Sequence, residues 1–116
     1  MNVPVEISLR GIPASAALER FISDEARKLD GLCDRIRSCL VVAEALQRGR
    51  RQDAQFAVRL IITLPGTEVV VNRENGGDVY TALRDAFIAA GLQLKDHMRR
   101  RGSGRHTRSD PSDSRR

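Results

Sequence analysis

Gln55-Phe56-Ala57-Val58-Arg59-Leu60-Ile61-Ile62-Thr63-Leu64, then Pro65-Gly66 and, after Thr67-Glu68, Val69-Val70-Val71, is the stretch on which the fold turns. Phe56, Val58, Leu60, Ile62 and Leu64 recur at every second position, the period that lines one face of a half-buried strand. Pro65-Gly66 is a turn signal, and the valine run supplies a second strand. The two strands should therefore form a hairpin, closed by Asn75-Gly76-Gly77.

Working outward toward the N-terminus, Arg35 to Ala45 contains the β-rich run Cys39-Leu40-Val41-Val42 and reads as another strand. A polar loop from Gln47 to Asp53, carrying Arg48, Arg50 and Arg51, joins it to the hairpin. Upstream, Ser15 can cap a helix by accepting a bond from an unpaired N–H of the first turn. Leu18, Phe21, Ile22, Ala26 and Leu29 follow at spacings of three and four, and Gly31 is the expected stop. Val3 to Leu9 alternates with period two and gives the first strand. Pro4 stands near its start, where a missing N–H is tolerable, and Gly11 and Pro13 end it. On the other side of the hairpin, Asp78 can cap a last helix. Its buried face is expected to hold Tyr80, Leu83, Ala86 or Phe87, Ala90, Leu94 and Met98. Arg99, Arg100 and Arg101 end it, where cations suit the negative end of the helix dipole.

The order is β-α-β-β-β-α, an α+β fold: a four-stranded mixed sheet with two helices packed on one face. Two strands joined through a helix run parallel by a right-handed crossover if they are neighbours. A chain of 116 residues allows one domain. Residues 1–101 are expected to form it. Beyond Gly102, Ser, Gly, Arg, Asp and Pro replace every large apolar residue, so residues 102–116 read as a disordered tail.

Composition narrows the function classes. No apolar run approaches the roughly 18 residues of a membrane span, and the N-terminus lacks the pattern of a signal peptide. A cytoplasmic protein without membrane contact is expected. From Met1 to Met98 there are 13 Lys+Arg and 13 Asp+Glu. Arg99 to Arg116 adds seven Arg and two Asp, so the whole net charge of +5 belongs to the last 18 residues. The high pI describes a tail and not a basic body.

Signals for catalysis are weak. His97 and His106 have no spaced Cys or carboxylate partner, and no metal is expected. Cys33 and Cys39 fit no common zinc or redox spacing and read as structural thiols. Gly76-Gly77 could hold a phosphate at a helix N-terminus, but Asp78 would repel it. No cofactor is implied, and the chain does not read as an enzyme. The basic clusters offer phosphate contact through the planar fork of Arg. Aromatics make up 3% of the chain, too few to interleave with bases, so any RNA contact should be to backbone and shape.

Several segments together resemble one family, that of the ribosomal subunit interface, sigma-54 modulation or ribosome hibernation-promoting proteins. The likeness covers about residues 5 to 101. It includes Ile7-Ser8-Leu9-Arg10-Gly11, Ala26-Arg27-Lys28-Leu29, Ile36-Arg37-Ser38-Cys39-Leu40-Val41-Val42 with Glu44, Leu64-Pro65-Gly66, and Val69-Val70-Val71-Asn72-Arg73. Its most specific piece is Asp78-Val79-Tyr80-Thr81-Ala82-Leu83-Arg84-Asp85-Ala86-Phe87, followed by Gln93-Leu94. The variant it is most similar to is often fused to a cold-shock domain, and none follows in this chain. The resemblance implies binding to the small ribosomal subunit and its ribosomal RNA under stress, with inhibition of translation. Candidate RNA contacts are Lys28, Arg48, Arg50, Arg51, Arg84, Lys95, Arg99, Arg100 and Arg101. Where related chains carry polar or basic residues on the second helix, this one has Ile88, Ala89, Gly91 and Leu92. Ile88 and Leu92, four apart, therefore support a rival reading: a weak homodimer or protein-interaction module that has kept the fold and lost the ribosome.

Overall fold

The expected hairpin is present: β3 (Gln55–Leu64) turns at Pro65-Gly66 into β4 (Thr67–Gly76), with Leu64 opposite Thr67. Gly66 has φ 77°, which a residue with a Cβ rarely adopts, so glycine is required in this two-residue turn. The computed structural model describes residues 4–46 and 55–106, those from 101 onward as backbone only. Arg48, Arg50 and Arg51 lie outside the described residues.

Upstream of the hairpin stand β1 (Val5–Arg10), α1 (Ala16–Leu32) and β2 (Ser38–Leu46), and downstream α2 (Val79–His106). The sheet order is β1-β2-β3-β4, with β1 and β2 parallel and the other pairs antiparallel. The order, the parallel pairing of β1 with β2 and the hairpin agree with the sequence reading. Register carries one row straight across the sheet, Ile7–Val41–Leu60–Val71, on the side the helices cover. Val41, Leu60 and Val71 are buried there with Ile22 of α1 and Leu83 and Leu94 of α2. Each such side chain contributes about 1.5–3 kcal/mol by leaving water. α2 lies over β3 and β4 and against α1.

Both helix starts follow from their caps. Ser15 Oγ accepts from the Leu18 N–H at 3.1 Å, and Asp78 Oδ1 accepts from the Thr81 N–H at 2.8 Å. α1 runs through Gly31 to Leu32, and the Cys33 N–H closes it on the Leu29 carbonyl. Gly31 lacks a positive φ, so it is an ordinary helical residue and not the stop.

α2 departs from expectation in four respects. Tyr80 and Met98, expected inside, are exposed, while Ala89, expected outside, is only 7% exposed. Met98 stands one turn beyond Leu94, the last fully buried side chain of α2. Tyr80 sits at the rim of the seam between the helices, edge-on to Phe21 with ring centroids 5.1 Å apart. The helix also continues past Gly102, the expected boundary, to His106. Glycine and serine lower helix stability by about 1 kcal/mol or less each without forbidding it, and the next proline is Pro111. Residues 107–116 lie outside the described residues.

Candidate nucleic-acid interface

The face of the sheet opposite the helices carries Leu40, Ile61 and Val70 in one cross-strand row and Arg10, Glu44, Ala57 and Glu74 in another. A shallow concavity of about 510 Å³ lies there, lined by Arg10, Val42, Glu44, Arg59, Asn72 and Glu74. Its charges are mixed, so it presents no field of one sign to a polyanion.

Most of the candidate cations stand instead on the helical layer. Lys28 projects from α1 with its side chain 72% exposed and pairs with Glu25 Oε2 at 3.1 Å; Arg27 pairs with Asp24 at the same distance. On α2, Arg99 and Arg100 share Asp96, one carboxylate oxygen each, at 3.0 and 2.8 Å. These are exposed pairs one helical turn apart, worth a few tenths of a kcal/mol, and a phosphate competes with them readily. Arg84 and Lys95 are exposed, and neither has a carboxylate within ion-pair reach among the described residues. Arg84 lies over the Phe21 ring, 5.8 Å from its centroid, so a cation on α2 is held by an aromatic of α1. Arg101 belongs to α2, and its side chain is not described.

The helical face thus brings Lys28, Arg84, Lys95, Arg99 and Arg100 onto one layer, leaving the loop arginines undescribed. Sequence reading passed over Arg20, which is exposed on α1 and has no carboxylate partner among the described residues. Asp24 stands one turn from it but is taken by Arg27. Sequence spacing alone does not show which of the two cations wins that carboxylate.

Two groups suited to other chemistry are spoken for. Both thiols are buried and unbonded, and burial pushes Cys39 up to about 11, so it stays protonated at neutral pH and is a poor nucleophile. The carboxyl of Asp78 is held below its ordinary value, chiefly by the Thr81 N–H and then by the Thr81 side chain. That carboxylate blocks the anion site a helix N-terminus would otherwise offer. Among the described residues no group of His, Cys, Asp and Glu is placed to hold a metal, and no helix is long and apolar enough to cross a membrane.

The outer face of α2 also carries Ile88 and Leu92, 57% and 63% exposed, as their four-residue spacing on the polar side implied.

The profile of the family described as Sigma 54 modulation protein / S30EA ribosomal protein matches residues 5–102. A ribosomal subunit interface protein from Coxiella burnetii has a similar structure, with a TM-score of 0.70 at 16% identity over 83% of this chain and 98% of that one. The N-terminal domain of Thermus thermophilus Protein Y gives a TM-score of 0.59 at 23% identity, over 84% of this chain and 99% of that one. No curated protein matches.

Proposed function

The chain belongs to the sigma 54 modulation protein / S30EA ribosomal protein family, and from that premise we propose that it is a non-enzymatic, ribosome-associated factor that binds the small subunit through ribosomal RNA and inhibits translation. The observation that carries the reading is the match across nearly the whole fold, residues 5–102. It is supported by the names of the structural neighbours, one a ribosomal subunit interface protein. Physical support comes from the exposed cations of the helical layer. Lys28, Arg84, Lys95, Arg99 and Arg100, with Arg101 next to them in sequence, supply phosphate contacts that position the protein without reading bases. Arg20 extends this set on α1, and Arg48, Arg50 and Arg51 add three further cations between β2 and β3 in sequence. Action in the cytoplasm, where ribosomes work, follows from the same reading.

The test is sedimentation of tagged protein with ribosomal subunits on a gradient, repeated at rising salt. Binding to the small-subunit fraction is expected, with affinity falling steeply as salt rises, because each neutralised phosphate releases counterions. Replacing Arg99, Arg100 and Arg101 with Gln should weaken binding and flatten that dependence. A chain that never leaves the top of the gradient at low salt rejects the reading.

The exposure of Ile88 and Leu92 favours a second reading, in which this face of α2 meets another protein surface. Leu92→Arg separates the two: it should leave ribosome sedimentation intact under the first and remove self-association under the second.

A further inference from the structure

β4 is an edge of the sheet, and its backbone can be accounted for residue by residue. Leu64 and Thr67 flank a two-residue turn and form a hydrogen-bonded pair, so Thr67, Val69, Val71, Arg73 and Asn75 bond to β3. The N–H and C=O groups of Glu68, Val70, Asn72 and Glu74 therefore point away from the sheet. No backbone bond to these four residues is found among the described residues outside the hairpin.

The two edges differ in how they meet that problem. β1 has six residues, with Pro4 just before it and the Gly11 turn just after. β4 has ten residues in unbroken register, with no proline, no lysine and no bulge. Its charges sit near the ends, at Glu68 and at Arg73-Glu74, around an apolar centre, Val69-Val70-Val71. Proteins usually blunt long edges of this kind, because an unblunted one pairs with another strand.

We propose that β4 pairs antiparallel with β4 of a second copy about a two-fold axis at Val70, making one eight-stranded sheet. The register selects itself. Opposed residues must share a face, so the two-fold can pass only through a residue, and each choice sets different neighbours. Centred on Val71, the pairing would oppose Glu68 to the partner's Glu74 twice. Centred on Val70, it opposes Glu68 to the partner's Asn72, Val70 to its own copy, and Val69 to the partner's Val71 on the helix side. That arrangement matches apolar with apolar and sets no like charges opposite. It also gives all outward backbone groups of Glu68, Val70 and Asn72 a partner. Val70 is 39% exposed in the single chain. Leu92 lines the same groove as Val69, a hollow of about 340 Å³ along this edge, so the copy that covers one approaches the other. The interface is small, which makes the dimer weak and concentration-dependent. The proposal stands apart from the ribosome reading and can fail or succeed without it.

Sedimentation equilibrium of the full chain from about 10 μM to 1 mM tests it, a range suited to small interfaces. Wild type should move from monomer to dimer. Val70→Pro removes an outward N–H at a position where an edge strand tolerates proline. It should raise Kd by at least about thirtyfold while the thermal melt is kept, since two symmetry-related bonds are lost. Val70→Lys, which keeps every bond to β3, gives the same result if the proline variant does not fold. Asn72→Lys should tighten the dimer about three- to tenfold by facing Glu68 of the partner subunit twice, and Asn72→Glu should loosen it by as much. A wild type that is monomeric at the highest concentration overturns the proposal, even if it binds an added strand-forming peptide. So does a dimer that Val70→Pro and Val70→Lys leave intact, or one that responds alike to both Asn72 variants.

Discussion

α1 and α2 lie side by side on the same sheet and use their outer faces differently. On α1 the solvent side is occupied by local ion pairs, Asp24 with Arg27 and Glu25 with Lys28. Among the described residues, α2 has pairs within the helix around Asp96 at its end and one to β4, Asp85 with Arg73, and it presents Ile88, Leu92 and, without a carboxylate partner, Arg84 and Lys95 along its middle. Folding explains the α1 surface, which is that of a solvated amphipathic helix. It does not explain the apolar pair on α2, because neither side chain packs in the core. Surface that the fold does not need marks where an outside partner is to be sought.

The largest effects should fall where the helices are alike. Ile22→Ala on α1 and Leu94→Ala on α2 each remove a side chain with no exposed surface, and each should lower unfolding free energy by about 2–5 kcal/mol in urea titrations. Ile88→Ala, on the same helix as Leu94, should shift it by less than about 0.5 kcal/mol. A large loss at Ile88 would erase the contrast.

The caps sharpen the comparison next. Ser15→Ala should lower stability by about 1 kcal/mol, visible as a lower midpoint with unchanged slope. Asp78 adds a pH signature that Ser15 lacks. Its folded pKa is depressed from 3.8, so its contribution is present above that value and is lost as pH falls through the folded pKa. Asp78→Asn should therefore flatten the acid limb of a stability–pH profile, and Ser15→Asn should leave it alone.

Smaller still is the bridge between the helices. Arg84→Gln removes the cation over Phe21 and should lower stability by about 0.5–1 kcal/mol, with Phe21→Leu removing most of the same increment in a double-mutant cycle. Last come the α1 pairs: Arg27→Gln and Lys28→Gln should each change the midpoint by less than about 0.5 kcal/mol. Lys28→Gln should still weaken ribosome binding if the proposed RNA contacts hold, so for that residue binding and stability should part company.

Much of this was legible before any coordinates. The alternation of Phe56 to Leu64 placed β3 at its observed bounds, because register on a half-buried sheet is dictated by side-chain parity. Ser15 and Asp78 marked both helix starts. The rotation of α2 was harder. Apolar residues occur all round Tyr80 to Met98, so periodicity does not tell the alanines close to the sheet, such as Ala89, from those outside. At the candidate site, the cations were evident but their pairing was not, since Asp24 and Asp96 each have more than one Arg within a turn. The Arg84–Phe21 contact joins positions far apart in sequence. The bare edge of β4 needed the strand order, in which no described strand lies beyond it.

That strand order also has a consequence for synthesis. Each strand neighbours the next one made, β1-β2-β3-β4, so the emerging chain can extend the sheet from one side without leaving gaps to be filled later. α2 is made after the strands it covers, β3 and β4. At about 5–20 residues per second, its 28 residues take on the order of one to six seconds to appear. For that interval Leu60, Ile62, Val69 and Val71 lack their helical cover, so the finished sheet keeps its apolar face open until α2 docks.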